Sequence, residues 1–491
     1  MTPMLRMRTT ALAVAVVAIV AGGAVPTLAG AAPLTDPAPA SRGVLAAYSL
    51  VAPVAVAPSG LIARAVLPAG VGCPGLDAVV STPRGSKSVR VPMKERRPGA
   101  TTLNAFGAIL VCEAAVPKAA RSATVDGRRL PAAMPQQVNS LAVLGDSGCR
   151  IKGGTAQACN DSDAWPLARV ARSISRDRPD VVLYLGDYFY REAACPAASN
   201  ADCGGSPEPL PGAPFTDSAW GWVADVLIPM APIFATAPVV SLRGNHELCY
   251  RGGNGFFLMF DPSFGTADAC APSSTGQAPV VYSPTWAVDL PLAKARSLRL
   301  VMVDSANGSD TSIDDTMAAA QRPLYVQARQ LARGASDAWL LTHRPISGVV
   351  TSDYLPNPPG TATTWTSVTN TYSSQGLLDR FHLTLSSHLH LLQAVNVPTL
   401  PPQLVLGNAG TDLDPPTGYS IPAFGPLTNG EGQPLAPDAL PIPTAASLDT
   451  WVRYGYAIAT PAKSGWTFEM KGVDGTRFAS CRTGTGDLVC S

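Results

Sequence analysis

Only five histidines occur in these 491 residues, and four of them stand in short motifs beside carboxylates, an asparagine and a tyrosine. In chain order the motifs are Gly-Asp-Ser-Gly at 145–148, Gly-Asp-Tyr-Phe-Tyr at 186–190, Gly-Asn-His-Glu at 244–247, Thr-His at 342–343 and Ser-His-Leu-His at 387–390. Imidazole, carboxylate, carboxamide and phenolate together make a donor set for borderline to hard divalent and trivalent cations. The pattern points to a metal centre.

Each motif also has a plainer meaning when taken alone. His388 and His390 could be a surface pair, Gly-Asn-His-Glu a turn with a capping asparagine, and His343 a structural residue at the end of an apolar run. The chemical reading is more specific. A glycine before Asp146 and before Asp187 permits a tight turn that exposes the carboxylate. Two neighbouring cations need an anionic bridge, and Asp187 is the central candidate. Asn245 offers a neutral oxygen, whereas the adjacent His246 points elsewhere and could give a proton to a leaving oxygen. His388 and His390, two apart, could reach two neighbouring ions from a bent loop.

The elements that must position these residues read as an α/β domain. Short apolar runs at 140–144 and 181–185 flank a segment in which Leu167, Val170, Ala171 and Ile174 follow helical spacing, a βαβ unit. Further runs fall at 238–242, 298–303, 338–341, 383–385 and 403–406, with helical candidates at 222–234 and 317–333. Asp146, Asp187, Asn245, His343 and His388 each follow one of these strands. In layered α/β domains ligands gather beyond the carboxyl ends of strands, so the five motifs can converge on one edge. Upstream, short β-type runs at 60–66, 88–91 and 107–111 suggest a small all-β module over 46–135, with 136–491 as the main domain. A long Pro-rich loop is expected at 410–446 and closing strands over 447–491.

Motif order and spacing resemble the calcineurin-like metallophosphoesterase superfamily, most of all its purple acid phosphatase branch. The resemblance implies a four-layer αββα sandwich, preceded here by the small all-β domain. It implies that Asp146, Asp187, Tyr190 and His390 hold a first metal, that Asp187 bridges to a second held by Asn245, His343 and His388, and that His246 is an outer acid or phosphate contact. Where the common pattern reads Asp-x-His, this chain has Gly148, and Tyr190 could supply the missing ligand. A tyrosinate favours Fe(III), which suggests Fe(III) plus a divalent ion (Fe, Zn or Mn) and a coloured protein. Ser387 replaces the usual glycine before His-x-His. His382 fits no motif, and Arg150, Arg243 and Arg344 flank motif positions.

The implied activity is hydrolysis of phosphate esters by attack of metal-bound hydroxide, with a phosphomonoester as the leading substrate class. Alternatives are a phosphodiesterase acting on nucleotides or phospholipid headgroups, and a surface binding protein on a vestigial metal domain. Loops near 262–297, 345–380 and 410–446 would form the mouth. No Gly-x-Ser-x-Gly nucleophile element is present. The net charge of +1 gives no support for a nucleic-acid surface. Residues 1–31 read as a signal peptide, with Arg6 and Arg8 before an apolar run and Ala29-Gly30-Ala31 at the cleavage position; residues 32–45 read as a linker. No transmembrane segment is expected after cleavage. Ten cysteines in an exported, secreted or periplasmic chain argue for disulfides, most simply between neighbours, bracing the loops that present the ligands.

Overall fold

The computed structural model describes residues 43–97, 105–152, 155–204, 217–271, 277–310, 312–346, 348–351, 363–414, 428–429, 447–484 and 486–491. The expected signal peptide, most of the linker and most of the 410–446 loop lie outside them. Two sheets dominate. The first has eleven strands, and its parallel centre consists of Leu141–Leu144, Val181–Tyr184 and Val239–Ser241. The second has seven, with Ser297–Met302, Ala338–Leu341, Leu383–Ser386 and Gln403–Leu406 parallel in that order.

Both centres read as largely apolar runs because parallel strands are covered on both faces. The covering differs by alternation. Leu141, Val143, Val181 and Leu183 pack inward with Leu300, Met302, Trp339 and Leu341 of the second sheet. Ala142, Leu144, Val182 and Tyr184 face outward, where Leu167–Asp177, Ala231–Thr236 and Gly253–Met259 form helices. On the far side Val301, Ala338 and Leu340 pack against the helix Asp315–Leu331 through Tyr325 and Ala328. Helix, sheet, sheet and helix form the four layers that the resemblance implies. Trp339 reaches across the middle to Trp466, with ring centres 4.6 Å apart, and to Phe468 at 5.5 Å.

The described residues of 43–135 are mainly β, and their strands divide between two sheets. Ala46–Val51, Leu61–Pro68, Ile109–Ala115 and Lys94–Glu95 extend the first sheet, with Leu50 in parallel register with Val239. Gly75–Thr82, Gly85–Pro92, Ala120–Val125 and Arg128–Leu130 form a separate four-stranded sheet. The first sheet's other flank is closed by Gly455–Pro461, Trp466–Gly472, Arg477–Thr483 and Leu488–Cys490. One expected helix is broken. Residues 222–234 divide into the end of Ala219–Trp222, a wider turn at Val223–Leu227 and Ala231–Thr236, because Pro229 and Pro232 each lack an N–H. The wide turn carries Asp225, whose Oδ2 lies 2.6 Å from Arg191 Nε, both side chains fully buried.

All ten cysteines pair with their neighbours: Cys73–Cys112, Cys149–Cys159, Cys195–Cys203, Cys249–Cys270 and Cys481–Cys490. Three of these close loops that follow metal-type motifs, which limits the freedom of those loops before any ligand binds. No helix among the described residues is long and apolar enough to cross a membrane. Because the buried Trp339 joins the two sheets' inner faces, Trp339→Ala is expected to cost about 3–5 kcal/mol of unfolding free energy, read from denaturant midpoints at unchanged m-value.

Candidate metal centre

The carboxyl ends of both sheets' central strands meet at one edge, and every motif residue lies there. Asp146, Asp187 and Asn245 follow the parallel strands of the first sheet, and His343 and His388 follow those of the second. The chain turns so abruptly that Asp146, Asp187 and His388 adopt left-handed backbone, with φ of 53°, 56° and 76°. Such conformations cost about 1–3 kcal/mol each in residues with a Cβ and cluster at functional sites. At Gly186, φ is 103°, and a Cβ would lie 2.8 Å from both Gly244 N and His343 Nδ1. Only glycine lets the Asp187 loop pack against its neighbours here.

Donor atoms gather in two sets. Tyr190 Oη lies 2.8 Å from Asp146 Oδ1, 2.7 Å from Asp187 Oδ2 and 3.0 Å from His390 Nε2. Asn245 Oδ1 lies 2.9 Å from His343 Nε2 and 2.7 Å from His388 Nδ1, and His343 Nε2 is 3.2 Å from Asp187 Oδ2. The same Asp187 oxygen therefore faces both sets. All of these side chains are buried.

Surrounding groups fix which atom each side chain presents to the centre. His343 Nδ1 lies 2.9 Å from Leu185 O, and His390 Nδ1 lies 2.9 Å from Asp412 O. Each imidazole thereby spends one nitrogen on a carbonyl and turns Nε2 toward the centre, the usual outer support of a metal-binding histidine. Asp187 Oδ1 accepts from His246 N at 2.8 Å, and Asp146 Oδ2 accepts from His388 N at 2.7 Å. Glu247 is fully buried and accepts from four backbone amides: Gly244 and Asp187 at 2.9 Å, Tyr188 at 2.8 Å and Phe189 at 3.2 Å. One carboxylate thus ties the Asp187 loop to the Asn245 turn.

Electrostatics suit a cation site. Burial, followed by the charge of Asp187, pushes Asp146 well above the ordinary carboxyl range. Burial would raise Asp187 too, but His343, His246 and His388 outweigh it and hold it well below that range. Burial and the two aspartates push the Tyr190 phenol well above its usual value. Burial lowers His388 to about 4 and His246 to about 3, so both are neutral and able to donate a lone pair at neutral pH. Two carboxylates and a phenol packed out of water are costly unless positive charge compensates them. Cations bound between the two sets would reverse that logic and stabilise the ionised oxygens. The residues present fit a pair of metal ions.

Gly148 explains itself in this geometry. A Cβ at that position would lie 2.6 Å from Tyr188 O and 2.8 Å from Tyr190 Cδ2. The phenol ring fills the space where a longer residue 148 would begin, so glycine here and tyrosine at 190 go together. Ser387 is used as well: its Oγ lies 2.9 Å from Leu185 O and 3.0 Å from His343 Nδ1. His246 sits at the rim, its ring centre 3.6 Å from that of Tyr190 and its Nδ1 2.7 Å from Glu192 Oε1.

Several neighbours of these residues lie outside the motifs. Asp310 Oδ1 is 2.9 Å from His388 Nε2, and Asp414 Oδ2 accepts from His390 N at 2.8 Å. Arg251 contacts both Glu192 and His246. Of the flanking arginines, Arg344 reaches His388 Nε2 at 3.0 Å and pairs with Asp310, while Arg243 pairs with the buried Asp304 at 3.0 Å. His382 lies at the opposite end of its strand, its Nδ1 accepting from Ala338 N at 3.3 Å. Glu247 was visible in its tetrapeptide; Asp310, Asp412 and Asp414 sit in polar loop sequence that gives no signal.

Residues 140–362 match the family model for calcineurin-like phosphoesterases. The segment is of the calcineurin-like phosphoesterase family. Two solved structures share the fold of this chain. A purple acid phosphatase from yellow lupin seeds (Lupinus luteus) aligns over 91% of this chain and 74% of its own at 12% identity, TM-score 0.50. PhoD aligns over 91% of both chains at 11% identity, TM-score 0.50. No curated protein matches the sequence. At such identities the likeness extends to the fold, whose sheets run beyond the calcineurin-like segment at both ends.

Two outcomes follow. Glu247→Ala leaves four buried amides without their acceptor and is expected to lower stability by roughly 2–4 kcal/mol, with reduced metal retention on dialysis. Gly148→His, which restores the common Asp-x-His pattern, is expected to lower metal content because the new side chain displaces the Tyr190 ring; elemental analysis reads it directly.

Proposed function

We propose that the chain is an exported phosphoesterase of the purple acid phosphatase type, acting on phosphate monoesters with two metal ions. Asp146, Asp187, Tyr190 and His390 would hold the first, and Asp187, Asn245, His343 and His388 the second. The observation that carries this reading is the position of Asp187 Oδ2, 2.7 Å from Tyr190 Oη and 3.2 Å from His343 Nε2. Bound there, the ions would supply an activated water and offset charge on the phosphoryl oxygens. A phenolate in the first set favours Fe(III), with a divalent ion in the second.

The protein's own groups divide the remaining work. Asp146 and Asp187, each anchored by a backbone amide, keep the donor sets in register. His246 has Nε2 4.0 Å from Asp187 Oδ2 and 2.7 Å from Arg251 Nη2, and the two side chains together would face the leaving oxygen. Glu192 faces its Nδ1, and Arg251 holds Glu192 in turn. Five cystines support passage through an oxidising compartment.

The test is elemental analysis of purified protein beside hydrolysis of an aryl phosphate monoester and diester. Two metals per chain are expected, with monoester turnover that Asp187→Ala lowers by more than about a hundredfold. Tyr190→Phe should abolish visible absorption. Stoichiometric metal with no turnover of either ester would favour a binding role instead.

A further inference from the structure

The second donor set contains an asymmetry. His343 and His390 turn Nε2 toward the centre and give Nδ1 to carbonyl oxygens, whereas His388 does the reverse. Its Nδ1 lies 2.7 Å from Asn245 Oδ1, and its Nε2 points outward to Asp310 Oδ1 at 2.9 Å. Arg344 also approaches that outer nitrogen at 3.0 Å. An arginine can only donate, so the two neighbours demand opposite tautomers of His388. If Nδ1 is to present a lone pair inward, Nε2 must carry the proton, and only Asp310 can accept it.

Asp310 is held for that task. It pairs with Arg344, and Ser367 Oγ donates to its Oδ1 at 3.3 Å. Its main-chain oxygen accepts from Val368 N at 3.5 Å, and Ser309 O accepts from Thr369 N at 3.2 Å, which fastens the loop to the helix Val368–Ser374. Arg344 is fixed in turn, Nε donating to Ala306 O at 3.2 Å. In contact with both side chains, Asp310 also offsets the arginine's charge, which would otherwise oppose a cation bound at His388.

We propose that Asp310 is a positioning residue that commits His388 to present Nδ1 inward and thereby sets the affinity of the second metal alone. The assignment rests on the dinuclear reading above. Outer carboxylates on metal-binding histidines change affinity by about 10–100-fold, and Asp310 bonds directly to His388, a member of the second set.

The metal-stripped full chain is titrated with Zn²⁺ by calorimetry, in wild type, Tyr190→Phe, Asp310→Asn and Asp310→Glu. Wild type should show two binding phases, and Tyr190→Phe should identify the first by weakening it. Asp310→Asn is expected to weaken the other phase by about 10–100-fold while sparing the first, and Asp310→Glu to recover part of the loss. An unaffected second phase, or equal loss of both phases, overturns the role of Asp310 and leaves the dinuclear reading intact. A wild type with only one phase overturns the dinuclear reading and this role with it.

Discussion

One carboxylate oxygen, Asp187 Oδ2, lies against both groups of metal-type donors, and the site depends on holding it there. Its partner oxygen is fixed by His246 N, its own amide is fixed by Glu247, and its backbone is forced into left-handed space. The two hydrogen bonds offset the cost of the left-handed backbone. Together they over-determine its position, as strained functional residues require.

The sandwich supplies the stiffness. Parallel strands buried on both faces bring their carboxyl ends to one edge, and side chains such as Trp339, Trp466 and Phe468 lock the two sheets in register. Donors from separate sheets can then meet within hydrogen-bonding distance, Asn245 from the first with His343 and His388 from the second. Cystines at Cys149, Cys195 and Cys249 restrain the loops that leave this edge. The burial of like-charged oxygens that results would be costly in a protein without metal, and it is the physical signature of a site shaped around cations.

Much of this was legible in the sequence because the motifs sit immediately after apolar runs. Strand positions such as 338–341 and 403–406 are as expected from their residues, and all eight motif residues come together. Neighbour pairing of the cysteines follows from short loop closure. What was not legible has physical causes. The N-terminal strands give the same alternating pattern whether they form their own sheet or extend another, since pairing partners are set by long-range contacts. The helix at 222–234 breaks at two prolines whose effect the apolar spacing masks. Asp310, Asp412 and Asp414 contact motif histidines distant in sequence, so neither spacing nor composition marks them.

Anomalous diffraction from crystals of the metal-loaded protein tests the central claim most directly. Two peaks flanking Asp187, one beside Tyr190 and His390 and the other beside Asn245, His343 and His388, are the predicted result. A single peak, or peaks away from Asp187, would contradict it.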